Sequence, residues 1–185
     1  AANKFTLFGK IAHHSNGQNG NFYTEERKVN LQSGNFATNY LELGFLQSSY
    51  SQNLKAFKFI KSSVEIHPKS WMLEELHGQY SGLRWHNTFL AYKLPMKSNL
   101  IKSSEQKANF SVKAETTLML DNINNWDTFN SKRINASLIV YYHPKFLEDI
   151  GFFVQFYQGM DYYNIYFQHQ ISSIRFGIMT ETLRF

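Results

Sequence analysis

From Ala108 to Leu120 the chain alternates almost without a break. Ala108, Phe110, Val112, Ala114, Thr116, Leu118 and Leu120 fall on one side, and Asn109, Ser111, Lys113, Glu115, Thr117 and Met119 fall on the other. Side chains of a strand point to opposite faces at period 2, so this run reads as a β-strand with one apolar face. Ile134, Ala136, Leu138, Val140 and Tyr142 repeat the pattern opposite Arg133, Asn135 and Ser137. No window competes with a helical period of 3.6. No stretch approaches the roughly 18 apolar residues of a membrane-spanning helix.

The same alternation extends to the remaining segments. Phe5, Leu7 and Ile11 share a row that runs on to His13 and Ser15, and Asn16-Gly17 then supplies turn chemistry. A polar loop covers about 18–35. Ala37, Asn39, Leu41, Leu43 and Phe45 form the next apolar row, followed by a turn-like cluster at 48–53. Further strands are expected at about 54–67, ended by Pro68, and at about 77–94, 150–159 and 171–185. That makes eight strands in a single domain, residues 1–185, with no internal repeat or linker.

Alternation alone allows two architectures. A soluble sandwich or lipocalin-like barrel would bury the apolar row. A membrane β-barrel would turn it towards lipid and the polar row towards a lumen. The composition bears on the choice: 17 Phe, 11 Tyr and 3 Trp make 17% of the chain aromatic, yet mean hydropathy is only −0.41. Lumen-facing residues dilute hydropathy in this way. Lys113 with Glu115, and Arg133 with Asn135, are pairs that a narrow lumen would hold, and Tyr141, Tyr142, Tyr157, Tyr162, Tyr163 and Tyr166 suit an interfacial girdle. The expectation is an antiparallel transmembrane β-barrel of meander topology.

Charge and cysteine content exclude some functions. With no cysteine there is no disulfide framework or thiolate metal site. The net charge of +5 comes from 19 scattered Lys and Arg with no basic run, which argues against nucleic acid and suits an anionic lipid surface. His67, His77, His86, His143 and His169 lack metal-ligand spacing and read as surface or lumen residues. Asp121-Asn122-Ile123-Asn124-Asn125 lacks the later Gly and Glu of a calcium loop and reads as a turn. The chain opens with Ala1-Ala2-Asn3-Lys4 and passes directly into a strand, so either an export signal has been removed or the chain begins inside a larger protein.

Three polar residues interrupt the apolar rows. His13 and Ser15 share one strand face, and Asn39 breaks the row of the next strand. A serine becomes a nucleophile when a neighbouring base takes its proton, and that base works best when a third group holds its ring. His13 is the candidate base, Ser15 the candidate nucleophile and Asn39 the candidate orienting group. For Ser15-Asn16-Gly17 the bland alternative is a hairpin turn.

The motif His13-His14-Ser15-Asn16-Gly17, followed by Thr38-Asn39-Tyr40, resembles the outer-membrane phospholipase A family of Gram-negative bacteria. The closing stretches Tyr157-Gln158-Gly159-Met160-Asp161-Tyr162-Tyr163-Asn164 and Ile174-Arg175-Phe176-Gly177-Ile178-Met179 resemble the family's end, and the terminal Phe185 matches the aromatic last residue of outer-membrane proteins. The resemblance implies calcium-dependent hydrolysis of glycerophospholipid acyl esters by Ser15, His13 and Asn39 in the outer membrane. It also implies an oxyanion donor at Gly17, a membrane phospholipid substrate and a calcium-promoted homodimer. The family barrel has twelve strands and eight are legible here, so the chain is expected to be part of such a barrel. The loop between Gly17 and Asn39 is longer than the family's. The Arg and Ser that help hold calcium are replaced by Gln18 and Asn35, which become the expected metal ligands, with Ser33 out of register. The altered loop leaves a second reading open: a non-enzymatic outer-membrane barrel, either a pore or an inactive homologue.

Overall fold

Eight strands form where the period-2 pattern runs, and they pair in chain order. The computed structural model describes residues 3–53, 55–96, 108–128, 130–144, 146–147, 150–161 and 164–180. The strands are β1 (Lys4–Ser15), β2 (Ala37–Ser51), β3 (Ala56–Ile66), β4 (Leu83–Met96), β5 (Ala108–Met119), β6 (Ile134–Pro144), β7 (Ile150–Met160) and β8 (Gln170–Thr180). All neighbours are antiparallel, in the order β1-β2-β3-β4-β5-β6-β7-β8. Two boundaries differ from expectation. β2 runs on to Ser51, because Ser48–Ser51 pair with β3 in the ladder despite their turn-forming composition. β4 starts at Leu83 because the residues after Pro68 form two short 3₁₀ turns, Lys69–Trp71 and Glu74–Leu76. Phe185, Tyr162 and Tyr163 lie outside the described residues.

Apart from a register shift between Ala91 and Leu94 of β4, the ladder registers assign the strand residues to one of two faces. One face carries Phe5, Leu7 and Ile11 of β1, Leu43 of β2, Ile60 and Val64 of β3, Trp85 and Phe89 of β4, Ile134 and Leu138 of β6, Phe152 and Phe156 of β7 and Ile174 and Phe176 of β8. These apolar side chains are exposed: Leu7 and Ile11 by 75% and Phe176 by 83%. Where this outward face is polar, it satisfies itself: Trp85 Nε1–H donates to Ser62 Oγ, and the Ser62 hydroxyl donates to Asn87 Oδ1, each at 2.8 Å.

The inward face is polar and paired. The buried Glu42 carboxylate takes Lys10 Nζ at 2.6 Å, Lys61 Nζ at 2.9 Å and the Ser63 hydroxyl at 2.7 Å. Lys113 reaches Glu115 at 2.7 Å, as their spacing predicts. Arg133 does not pair with Asn135. It turns back to the carbonyls of Met119 and Asp121, since it sits in the 3₁₀ turn before β6 rather than on the strand. The expected girdle is corrected at two positions. Tyr141 shares the face of the buried Ile139 and His143, and Tyr157 bonds the Met160 carbonyl, so both belong to the inward row.

β1 and β8 are the sheet's two edges and do not pair with each other, so the eight strands form an open meander sheet that is not closed into a barrel. Its curvature brings the first and last hairpins together through their loops. Tyr166 OH donates to the Leu31 carbonyl of the first hairpin at 3.4 Å, and Gln168 Nε2 donates to Gln79 Oε1 of the β3–β4 connection at 2.6 Å. In an antiparallel meander the connections after odd-numbered strands, 16–36, 67–82, 120–133 and 161–169, all leave from one end. The buried apolar clusters lie among them: Phe22, Phe36, Leu76, Tyr80, Ile165 and Phe167 in one, and Met119, Ile123 and Met160 in the other. With a polar inward face, these loops hold the chain's dry packing.

Candidate active site

His13 and Asn39 are directly opposite in the β1–β2 register, close to the end where the loops gather. Their side chains meet: His13 Nδ1 lies 2.7 Å from Asn39 Oδ1. The amide oxygen can only accept, so Nδ1 carries a proton, which in the neutral tautomer leaves the lone pair on Nε2. The carboxamide is held from its other side, because Nδ2 donates to the Trp71 carbonyl at 3.4 Å.

The backbone that supplies this carbonyl results from Pro68. Beyond Ile66, β3 stops at a residue without an N–H, and the chain turns away. Met72 and Leu73 then return to the flank of β2 that β3 has vacated. Thr38 pairs with Met72 in an isolated bridge, and Leu73 N–H donates to Ala37 O at 3.1 Å. The entry of β2 is thus flanked by β1 on one side and by this segment on the other. Sequence reasoning gave Trp71 no part in the site, since only the tertiary fold brings its carbonyl there.

Ser15 is two residues along β1 from His13, opposite Ala37 and on the same outward face. Both Ser15 and His13 are exposed. The structure thus brings His13 and Asn39 into contact and places Ser15 in their row. No hydrogen bond joins Ser15 Oγ to the imidazole among the described residues. Catalytic hydrogen bonds in unliganded sites are often long and tighten when substrate arrives.

Behind the site, on the inward face, lies a buried polar chain that sequence reasoning also missed. The Thr38 hydroxyl donates to His67 Nδ1 at 2.8 Å, and His67 Nε2–H donates to Glu65 Oε1 at 2.8 Å. Glu65 is also 3.4 Å from His86 Nε2 and 3.7 Å from Arg84 Nη1, and the Arg84 guanidinium stacks 3.9 Å from the Tyr80 ring centroid. Burial holds the His67 pKa below its ordinary value, outweighing the Glu65 hydrogen bond that pulls it up, while Arg84 and His14 add to the depression. A neutral imidazole accepting at Nδ1 fits that direction. Burial likewise pushes the Tyr80 hydroxyl up. The alternation of β2 signals the link to the His13–Asn39 pair, since it sends Asn39 outward and its neighbour Thr38 inward.

The residues expected at a calcium site are near one another through Asn16. Gln18 N–H donates to Asn16 Oδ1, and Asn35 N–H donates to the Gly20 carbonyl at 2.9 Å. Calcium requires six to eight oxygens, and carboxylates set the affinity. Gln18 and Asn35 offer neutral amides. Asn16 Oδ1 already accepts two backbone N–H groups, and of the two loop carboxylates, Glu25 and Glu26, the second is paired with Lys28 at 2.7 Å. No group of three or more His, Asp or Glu side chains is placed to hold a metal among the described residues. Gln18 and Asn35 by themselves fall short of the oxygens and the negative charge that calcium takes.

Compared with family models, with curated proteins and with solved structures, the chain matches none.

Proposed function

We propose that this chain is an outer-membrane serine hydrolase that cleaves acyl esters of glycerophospholipids. One observation carries the reading: a His13–Asn39 hydrogen bond of 2.7 Å, in line with Ser15, on a sheet face rich in exposed apolar side chains. A catalytic pair facing water would serve a soluble substrate. Here the rows below the site continue through Ile11 and Leu43, a surface along which an acyl chain can lie while its ester reaches Ser15. The outward apolar and inward charged faces favour insertion in a bilayer, with the loops at the aqueous end.

The proposed chemistry follows from the proton positions. Ser15 Oγ attacks the ester carbonyl carbon as His13 Nε2 takes the hydroxyl proton. Asn39 accepts the Nδ1–H and keeps the ring aligned, and as a neutral amide it stabilises the imidazolium less than a carboxylate would. The Gly17 N–H faces the developing oxyanion. Collapse breaks the ester C–O bond, and the lysolipid alkoxide leaves with the proton from Nε2. Water, deprotonated by the same nitrogen, then frees the fatty acid from Ser15.

The test is fatty-acid release from phospholipid–detergent micelles by the full chain. Wild type should turn over, and Ser15→Ala should lose at least about 100-fold of the rate while keeping its fold. Turnover retained in Ser15→Ala would remove Ser15 from the mechanism. The absence of a Ser15–His13 hydrogen bond favours the second reading, a non-enzymatic barrel, and a folded wild type without hydrolysis would establish it.

A further inference from the structure

Asn16, between the nucleophile and Gly17, reads in the sequence as a turn former, yet its carboxamide makes three hydrogen bonds. Oδ1 accepts from Gln18 N at 3.2 Å and from Phe36 N at 3.0 Å, and Nδ2 donates to the Gly34 carbonyl at 2.7 Å. The main chain adds Asn16 N–H to Phe36 O at 3.1 Å. Only the first of these belongs to the turn itself: a side-chain oxygen bonding the N–H two residues on. The others cross the loop to the residues that lead into β2, the strand that carries Asn39. A plain turn has no need of them.

Gly17 lies inside this bracket. Its φ of +68° is the left-handed region, and nothing lies within 4 Å of where a Cβ would be. Its N–H donates no backbone hydrogen bond among the described residues. A backbone donor that is unused, beside open space and held on both sides meets the requirement of an oxyanion site, in which dipoles are fixed before the charge appears.

We propose that Asn16 is a positioning residue: its carboxamide clamps the Ser15–Gly17 turn to the entry of β2 and so holds the Gly17 N–H and Ser15 in a set relation to the His13–Asn39 pair. The proposal rests on the hydrolase reading above. It explains why the turn carries an asparagine: Asp and Gly would also suit the turn but have no side-chain donor, and Ser would have to accept and donate through one oxygen, whereas the amide does so from two separate atoms.

A double-mutant cycle on the full chain in phospholipid micelles tests it, with Ser15→Ala as the control. Inactivity of Ser15→Ala beside an active wild type secures the underlying reading; an active Ser15→Ala removes that reading and the proposal with it. Asn16→Ala should then lower kcat by roughly 10- to 100-fold with KM within about threefold, a fraction of the loss that removing an oxyanion donor brings. Gly17→Ala moves the same donor through backbone strain and should also lower kcat. If both act through the Gly17 N–H, the double variant should be no slower than the slower single one, whereas multiplying effects would show that Asn16 works elsewhere and overturn the proposal. If Asn16→Ala does not fold, Asn16→Asp takes its place, since a carboxylate keeps both accepted bonds. A folded Asn16→Asp whose kcat is below wild type but above about a tenth of it supports the clamp, because only the donated bond is lost, and a folded one at a tenth or less overturns it. A wild-type kcat in any folded Asn16 variant also overturns it.

Discussion

Asn39 is the residue whose chemistry depends most on its partners. Its oxygen fixes the His13 tautomer and its nitrogen is tied to the Trp71 carbonyl, so the amide's orientation is determined from both ends. Asn39→Ala should therefore lower kcat by about 10-fold or more with little change in KM, because the imidazole loses its alignment rather than its contact with substrate. Steady-state kinetics on a phospholipid ester check this, and a KM rise at constant kcat would refute it. At this scale calcium can be judged too. Gln18 and Asn35 bring only neutral oxygens, so excess chelator should change turnover of the purified chain by less than about threefold. A loss approaching 100-fold would show that an ion is bound through oxygens other than these.

The elements that define the site are the entry of β2 and the segment that returns beside it after Pro68. Their shared anchor is His67, which is bonded to Thr38 and Glu65 and faces Arg84 of β4, Tyr40 of β2, His14 of β1 and Tyr80 of the loop, while His86 of β4 meets the same Glu65 carboxylate. With the folded pKa below the ordinary value of about 6.5, the unfolded state binds more protons in the window between the two. Stability of this segment is then fully present above about pH 6.5 and is lost progressively as pH falls through that window. Protection factors of the 67–76 amides, exchange rates corrected for the intrinsic pH dependence, should fall on acidification from pH 7 to pH 5, and His67→Gln should flatten that fall. Unchanged protection would mean that His67 carries its proton in the fold. Both 3₁₀ turns are single turns without side-chain caps, so the packing of Leu76, Tyr80, Phe36 and Phe167 holds them.

Taken whole, the molecule is an inverted sheet: ion pairs on the inward face, aliphatic and aromatic side chains on the outward one, and its dry packing among the loops at one end. Burying unlike charges on a soluble protein's inward face while leaving Phe and Ile in water would be doubly unfavourable. Bilayer insertion reverses the account. Leu43→Lys on the outward face should cost about 2–4 kcal/mol in refolding from urea into lipid vesicles if the position lies near mid-bilayer, and a similar charge at Ser172 near the strand end should cost less. Equal, negligible costs at both would place the outward face in water.

Much of the architecture was legible because strands are local. Alternation at period 2 needs no knowledge of neighbours, so eight strands, their faces and the row shared by His13 and Ser15 follow from residue order. Asn39 stood out for the same reason, as an amide on an apolar face. What residue order could not supply is what depends on distant segments. Whether eight strands close is decided by curvature and pairing at the edges, and here β1 and β8 stay apart while their loops meet. Ser48–Ser51 became strand because a partner offered hydrogen bonds that outweighed turn propensity. Arg133 left the inward row because its own backbone turns before β6. The hydrogen bonds that orient Asn39, bracket Gly17 and bury His67 join residues some 20 to 30 positions apart, and only the folded chain pays the entropy of bringing them together.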